Sequence, residues 1–309
     1  MTCFEHLSNE LLLDIFEFIN PRHFFYHFWN INSRLNNLLL SIKHLRLLID
    51  ERESHELIGT LAPHVGLLTV NTWDDIDLHK FRNLYSLKLA RPTQIQLKQI
   101  RADTMPNLAY LSLSPNVYFS APKQLISDAF SGEFLHLRWA RLGHIDSYDP
   151  LCWFQSLSLR YLHIGCYHTT LIPFVLVTCP NLQQLIVDCL RSGDKIMHSP
   201  AMIDNHPLQQ FILQDFCRSV SYEDIITLIT YIPNARKIKL KFDCESSVIS
   251  LMQYLANHLS DLKRFDCYIT ECPIDSASLV AIQRIHPCFS HITCHRIGEK
   301  FRIFDTQTK

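Results

Sequence analysis

The stretch Leu84-Tyr85-Ser86-Leu87-Lys88-Leu89 decides how this chain is read, because it returns as Leu108-Ala109-Tyr110-Leu111-Ser112-Leu113. Apolar residues fall at the first, fourth and sixth places. The last two lie on one face of a strand, whose side chains alternate between faces. With conservative replacements the pattern continues as Phe134/Leu137/Trp139, Leu159/Leu162/Ile164, Leu182/Leu185/Val187 and Leu208/Phe211/Leu213. It ends as Ala235/Ile238/Leu240, Leu262/Phe265/Cys267 and Phe289/Ile292/Cys294, with weaker upstream matches at Ile42/Leu45/Leu47 and Val65/Leu68/Val70. From residue 84 onward the units are 23–27 residues apart. One such motif is common in any chain rich in leucine; a fixed spacing held over more than 200 residues is not.

The residues between motifs complete the unit. Pro106, Pro180, Pro207 and Pro233 stand just before predicted strands. Proline lacks an N–H and disfavours helix in the residue before it, so it stops the preceding helix there. Ser221-x-x-Asp224 reads as a capping box opening a helix through Ile225, Ile226, Leu228 and Ile229. Val248, Ile249, Leu251, Met252, Leu255, Ala256 and Leu259 form one face of an amphipathic helix. Strand, loop and helix repeating in this way predict an α/β solenoid, with parallel strands on the concave side and helices on the convex side.

Composition agrees and excludes several classes. Leucine supplies 45 of 309 residues and glycine only 7. No two glycines are spaced for a dinucleotide fingerprint, a phosphate-binding loop or a nucleophile elbow. Net charge is −1 and pI about 7.0, so no global basic excess points to nucleic acid or an anionic membrane. Eleven cysteines form no C-x-x-C pair. Residues 1–6 carry no secretory pattern, and the apolar run Leu171–Val177 is too short to span a bilayer. These features predict an intracellular protein with reduced thiols, cytoplasmic, nuclear or both.

The repeated unit resembles that of leucine-rich-repeat proteins, over roughly residues 42–295. The long unit and helical outer side look like the ribonuclease-inhibitor-like or cysteine-containing classes. The family usually places Asn or Cys three residues past the last strand leucine. Here only Asn116 conforms, so no continuous asparagine ladder is expected past the strands.

The first forty residues differ. Leu11, Leu12, Ile15, Phe16 and Ile19 fall on one helical face, and Pro21 ends that helix. A second helix carries Phe24, Phe25, Phe28 and Ile31, and a short third carries Leu35, Leu38 and Leu39. So many large apolar groups cannot all be covered by forty residues and must dock on the repeats, on another protein, or both. One reading is an N-terminal cap that shields the first repeat.

The segment also resembles an F-box. Leu7, Glu10, Leu11, Ile15, Phe16, Phe18 and Ile19 match its first helix. Phe24, Phe28, Ser33, Arg34 and Leu38 match later positions. Two residues depart: the usual proline is Ser8, which can still cap a helix, and the usual tryptophan is Leu35. The resemblance implies an F-box over 1–41, then leucine-rich repeats with a C-terminal cap over 42–309. It implies docking on the Skp adaptor of a cullin–RING ubiquitin ligase through Leu7, Ser8, Glu10, Leu11, Ile15, Phe16, Phe24, Phe28 and Leu35. The repeats would then hold a protein substrate. The alternative is a protein-binding scaffold with no ligase role.

Strand residues flanking each middle apolar position should face the concave side. That stripe includes Tyr110, His136, Arg138, Tyr161, His163, Gln184, Gln210, Lys237, Lys239 and Arg264. It reads as an ordinary solvated face or as a substrate groove with a basic end at Lys237, Lys239 and Lys241. Cys288-x-x-His291-x-x-Cys294 has short spacings, but Cys267 and Cys294 occupy packing positions of the strand motif. No metal, cofactor or catalytic residue is expected.

Overall fold

A computed structural model describes residues 6–42, 44–50, 54–114, 120–145, 153–166, 168–189, 206–272 and 278–306. It is a mixed α/β structure. Two compact units form: Met1–Pro115 with Glu133–Leu137, and Asn116–Gly132 with Arg138–Lys309.

The first unit opens with α1 (Asn9–Glu17), α2 (Pro21–Phe28) and α3 (Ser33–Ser41). Ser8 accepts from the Leu11 amide at 3.4 Å and so caps α1. Pro21 does more than end α1: it is the first residue of α2, where its missing N–H costs nothing. The Arg34 guanidinium donates to the Leu7 carbonyl at 2.6 Å and to Asn9 Oδ1 at 2.8 Å, tying α3 to the start of α1. Phe16 and Phe24 pack edge to face with centroids 4.1 Å apart, and Leu35 and Leu39 fill the same core.

The strands β1 (Leu45–Ile49), β2 (Val65–Val70), β3 (Ser86–Leu89) and β4 (Tyr110–Leu113) follow, with α4 (His55–Leu61) and α5 (Gln94–Gln99) between them. They run parallel in chain order. Leu68 lies opposite Leu87 and Leu87 opposite Leu111, so equivalent repeat positions pair in register. In β1 the register sets Leu47, not Leu45, opposite Leu68. That shift of two residues keeps the same face buried.

The second unit holds α6 (Lys123–Phe130), β5 (Trp139–His144), β6 (Tyr161–Cys166), α7 (Leu171–Thr178), β7 (Gln184–Cys189) and β8 (Gln210–Asp215). It continues through α8 (Tyr222–Thr230), β9 (Lys237–Cys244), α9 (Val248–His258), β10 (Arg264–Glu271), α10 (Leu279–Ile285), β11 (Thr293–Ile297) and β12 (Phe301–Asp305). Strands β5 to β10 are parallel and sequential. Leu162, Leu185, Phe211, Ile238 and Phe265 stand opposite one another in turn, all buried. The capping box at Ser221 and Asp224 is formed, and the α9 stripe is buried through Val248, Leu251, Met252 and Leu255.

Two sequence expectations fail here. Trp139 pairs with Tyr161 and Ala140 with Leu162, so the unit is Leu137/Ala140/Leu142 and not Phe134/Leu137/Trp139. His136 and Arg138 therefore precede β5 instead of lining its open face; Trp139 and Arg141 take those positions. The cause is the small central Ala140, which makes the larger residues three places earlier look like the motif. The last unit also differs. β12 inserts antiparallel between β10 and β11, so Ile292 and Cys294 do not continue the parallel series. Gly298, at φ 63°, supplies the turn that reverses the chain. Cys294 is half-buried as a result, whereas Cys267 is buried.

The expected absence of an asparagine ladder past the strands has a counterpart before them. Asn181 Nδ2 donates to the Leu157 carbonyl at 3.0 Å, and Asn234 Nδ2 to the His206 carbonyl at 3.1 Å. Asn83 does the same for Pro63 at 2.6 Å. Each side chain bonds the backbone one repeat back and fixes the spacing of its layer.

Candidate functional site

The N-terminal residues divide by burial. Leu11 is 52% exposed and Phe18 91%, while Ser8 and Glu10 are also in water. Leu7, Ile15 and Phe28 are half-buried. Phe16, Phe24 and Leu35, placed in the expected contact surface, lie inside the helical core at 4%, 1% and 2% exposure. Its own backbone amide, and then the Ser8 hydroxyl, hold the Glu10 carboxyl below its usual value.

In the second unit, the open face of the strands presents Tyr161, Gln184, Gln210, Lys237 and Arg264 in one row. Tyr161 stacks on Trp139 with centroids 4.5 Å apart and rings 9° from parallel. In the next row His163 Nε2 meets Asp188 Oδ2 at 2.8 Å, and Lys239 is exposed. Arg264 donates to Asp266 at 2.8 Å. Tyr110 belongs to the first unit, on β4 opposite Ser86.

At the strands' N-terminal ends a cleft of about 450 Å³ is lined by Arg160, Gln184, Gln210, Arg236, Lys237 and Lys263. At the other ends a cleft of about 460 Å³ lies over β8 to β10 and the C-terminal hairpin. Phe216, Tyr268, Ile297 and Phe301 wall it, 49%, 45%, 53% and 42% exposed. Asp215 builds one wall: its carboxylate accepts from the Cys217, Ser219 and Val220 amides at 3.1, 2.7 and 2.8 Å. The loop so folded puts Arg218 at φ 58° and 3.0 Å from Asp243, and sets Phe216 beside Lys241.

The sequence reading missed Trp139, Phe216, Tyr268, Ile297 and Phe301. The signal for Tyr268 was available, since it lies two residues past Asp266 on the same strand face. Phe216 lies beyond the strand, and Phe301 and Ile297 lie in the hairpin that replaces the last repeat.

Thiol chemistry is suppressed where burial is deepest. Burial pushes the Cys179 and Cys267 thiols far up, and Cys244 and Cys288 up to about 11. Such thiols stay protonated at neutral pH and are poor nucleophiles. Among the described residues, no group of three His, Cys, Asp or Glu side chains could hold a metal ion, and no helix is long and apolar enough to cross a membrane. The geometry sets a solvated, regularly spaced polar face beside an aromatic cleft. Comparison of the chain with protein-family models and with curated proteins finds no match.

Proposed function

We propose that this protein is a substrate adaptor of a Skp–cullin–F-box ubiquitin ligase: residues 1–41 dock the Skp adaptor, and the leucine-rich repeats hold a protein substrate. The reading rests on the sequence resemblance of residues 7–38 to an F-box, standing before a repeat of 23–27 residues. The observation that carries it beyond resemblance is an apolar edge left in water. Leu11 on α1 and Phe18 just past its end are 52% and 91% exposed, whereas Leu12 and Phe16 of the same helix are buried and Leu13 and Ile15 half-buried. A docking partner would bury that edge in an interface of about 1,200–2,000 Å².

The test keeps the chain whole. Leu11→Asp with Phe18→Asp changes only exposed side chains, so the thermal melt should match the parent. Capture of the purified Skp adaptor should weaken by about 30-fold or more, the loss of two central apolar contacts. Equal capture by parent and variant, or no capture by either, removes the ligase reading.

A second reading has its own observation. Phe24, Phe25, Leu38 and Leu39 are buried, and α2 packs on β1. That is what a cap over the first strand does. It leaves the repeats as a protein-binding scaffold without a ligase role.

A further inference from the structure

The open face of β9 carries a line of charge that forms no ion pair among the described residues. Lys237, Lys239 and Lys241 leave the same face at every second residue, about 6.6 Å apart. Among the described residues no carboxylate lies within ion-pair reach of any of the three. Asp266 and Asp243, the acids on that face of β10 and β9, are held by Arg264 at 2.8 Å and Arg218 at 3.0 Å.

The line ends in the aromatic cleft. Lys241 Nζ sits 5.2 Å from the Phe216 ring centre and 5.8 Å from that of Tyr268. The ring faces attract the ammonium and fix its position without neutralising it. Past Lys241 the cleft of about 460 Å³ is open to solvent and walled by Phe216, Tyr268, Ile297 and Phe301.

One ligand geometry meets both features. In an extended peptide alternate side chains also project to one side, with the same two-residue step. Acidic side chains at alternate positions reach the three ammonium groups, and an apolar side chain two residues further enters the cleft. We propose that the β9 face binds an extended acidic segment of a partner protein, with carboxylates on Lys237, Lys239 and Lys241 and a large apolar side chain between Phe216, Tyr268 and Phe301. Nucleic acid is the less fitting occupant. The chain's net charge of −1 supplies no broad positive field, and Asp243 and Asp266 flank the lysines. The inference names the class of segment the proposed adaptor captures, and it rests on that reading only for the fate of what is captured.

The test is fluorescence anisotropy with the full chain and synthetic peptides of alternating Glu and Ser ending in Phe, made in both chain directions. Saturable binding is expected for at least one direction. It should weaken about tenfold when the peptide's Glu residues become Gln, and about fivefold for the protein variant Lys237→Glu with Lys239→Glu. Tyr268→Ala should weaken the Phe peptide more than its Ala analogue. All three protein positions are solvent-facing, so the melts should match the parent. Lack of saturation, equal binding of the Gln peptide, or indifference to the lysine reversal overturns the proposal. Tighter binding of a single-stranded RNA of equal length, lost in the same variant, overturns it in favour of nucleic acid. Peptide binding is read without the Skp adaptor, so its failure leaves the docking reading standing, and failure of docking leaves peptide binding standing.

Discussion

His206 is 1% exposed, and both ring nitrogens are used. Nε2 lies 3.1 Å from the Cys179 carbonyl, one repeat back, and Nδ1 accepts the Leu208 amide at 3.2 Å. A neutral imidazole does both; a protonated one loses the acceptor. Burial is the main cause that lowers its pKa below the usual 6.5, against the carbonyl contacts that raise it. The unfolded chain therefore takes up a proton that the folded chain resists. The stability this supplies is full above about pH 6.5 and lost as pH falls through the lowered value. Urea melts at pH 7.5 and 5.5 should show the loss, at up to about 1.4 kcal/mol per pH unit below 6.5. In His206→Gln the part of the slope due to this group should vanish; an unchanged slope sinks the assignment. Nothing near His206 in the sequence announces this role, because its partner carbonyl comes from another repeat. Ser8 is the opposite case. Its place before an acidic, apolar helix start made it readable as a cap, since N-capping is local chemistry.

At the scale of elements, the repeat was readable wherever the apolar period was carried by large side chains. A shift of two residues in β1 did no harm, because the period of a strand is two. The shift of three at β5 exchanged faces. It moved Trp139 from the expected core to the open row and removed His136 and Arg138 from it. The C-terminal hairpin shows a different limit. Its place is fixed by Glu271, 0% exposed at the end of β10, which accepts the Val248 amide at 3.0 Å and Arg302 Nε at 2.8 Å. One carboxylate thus caps α9 and anchors β12. Arg302→Met should leave that charge buried with too few partners and cost about 3–5 kcal/mol. Hydrogen exchange should then speed up over residues 293–305 before the parallel strands loosen. Uniform protection in the variant would show that the hairpin is held by its backbone pairing alone.

At the scale of the whole molecule, the cysteines give a test of how the layers are covered. Cys166, Cys179, Cys189, Cys244 and Cys267 are buried at repeat positions, and Cys166 and Cys189 face each other with sulfurs 3.8 Å apart. Cys217 is exposed on the loop that Asp215 folds. Maleimide labelling of the native chain, read by peptide mass spectrometry, should modify Cys217 quickly and the five buried thiols only after unfolding. Early labelling of Cys166 or Cys189 would mean that the central layers open independently. The same layering explains the composition: 45 leucines are spread over many thin layers, and Asn181 and Asn234 tie the backbone ahead of their strands to the layer before.

The sequence by itself determined the period, the parallel strand series, the three N-terminal helices and the lysines of β9. All of these follow from contacts within about one repeat, where side-chain periodicity and capping act directly. The tertiary structure alone decided which of Leu11, Phe16, Phe18, Phe24 and Leu35 stay in water. It also decided the frame of β5, the inversion of the C-terminal hairpin and the aromatic cleft at Lys241. Each of these depends on which distant residue stands opposite, and register across a sheet is set by packing between layers that no single repeat contains.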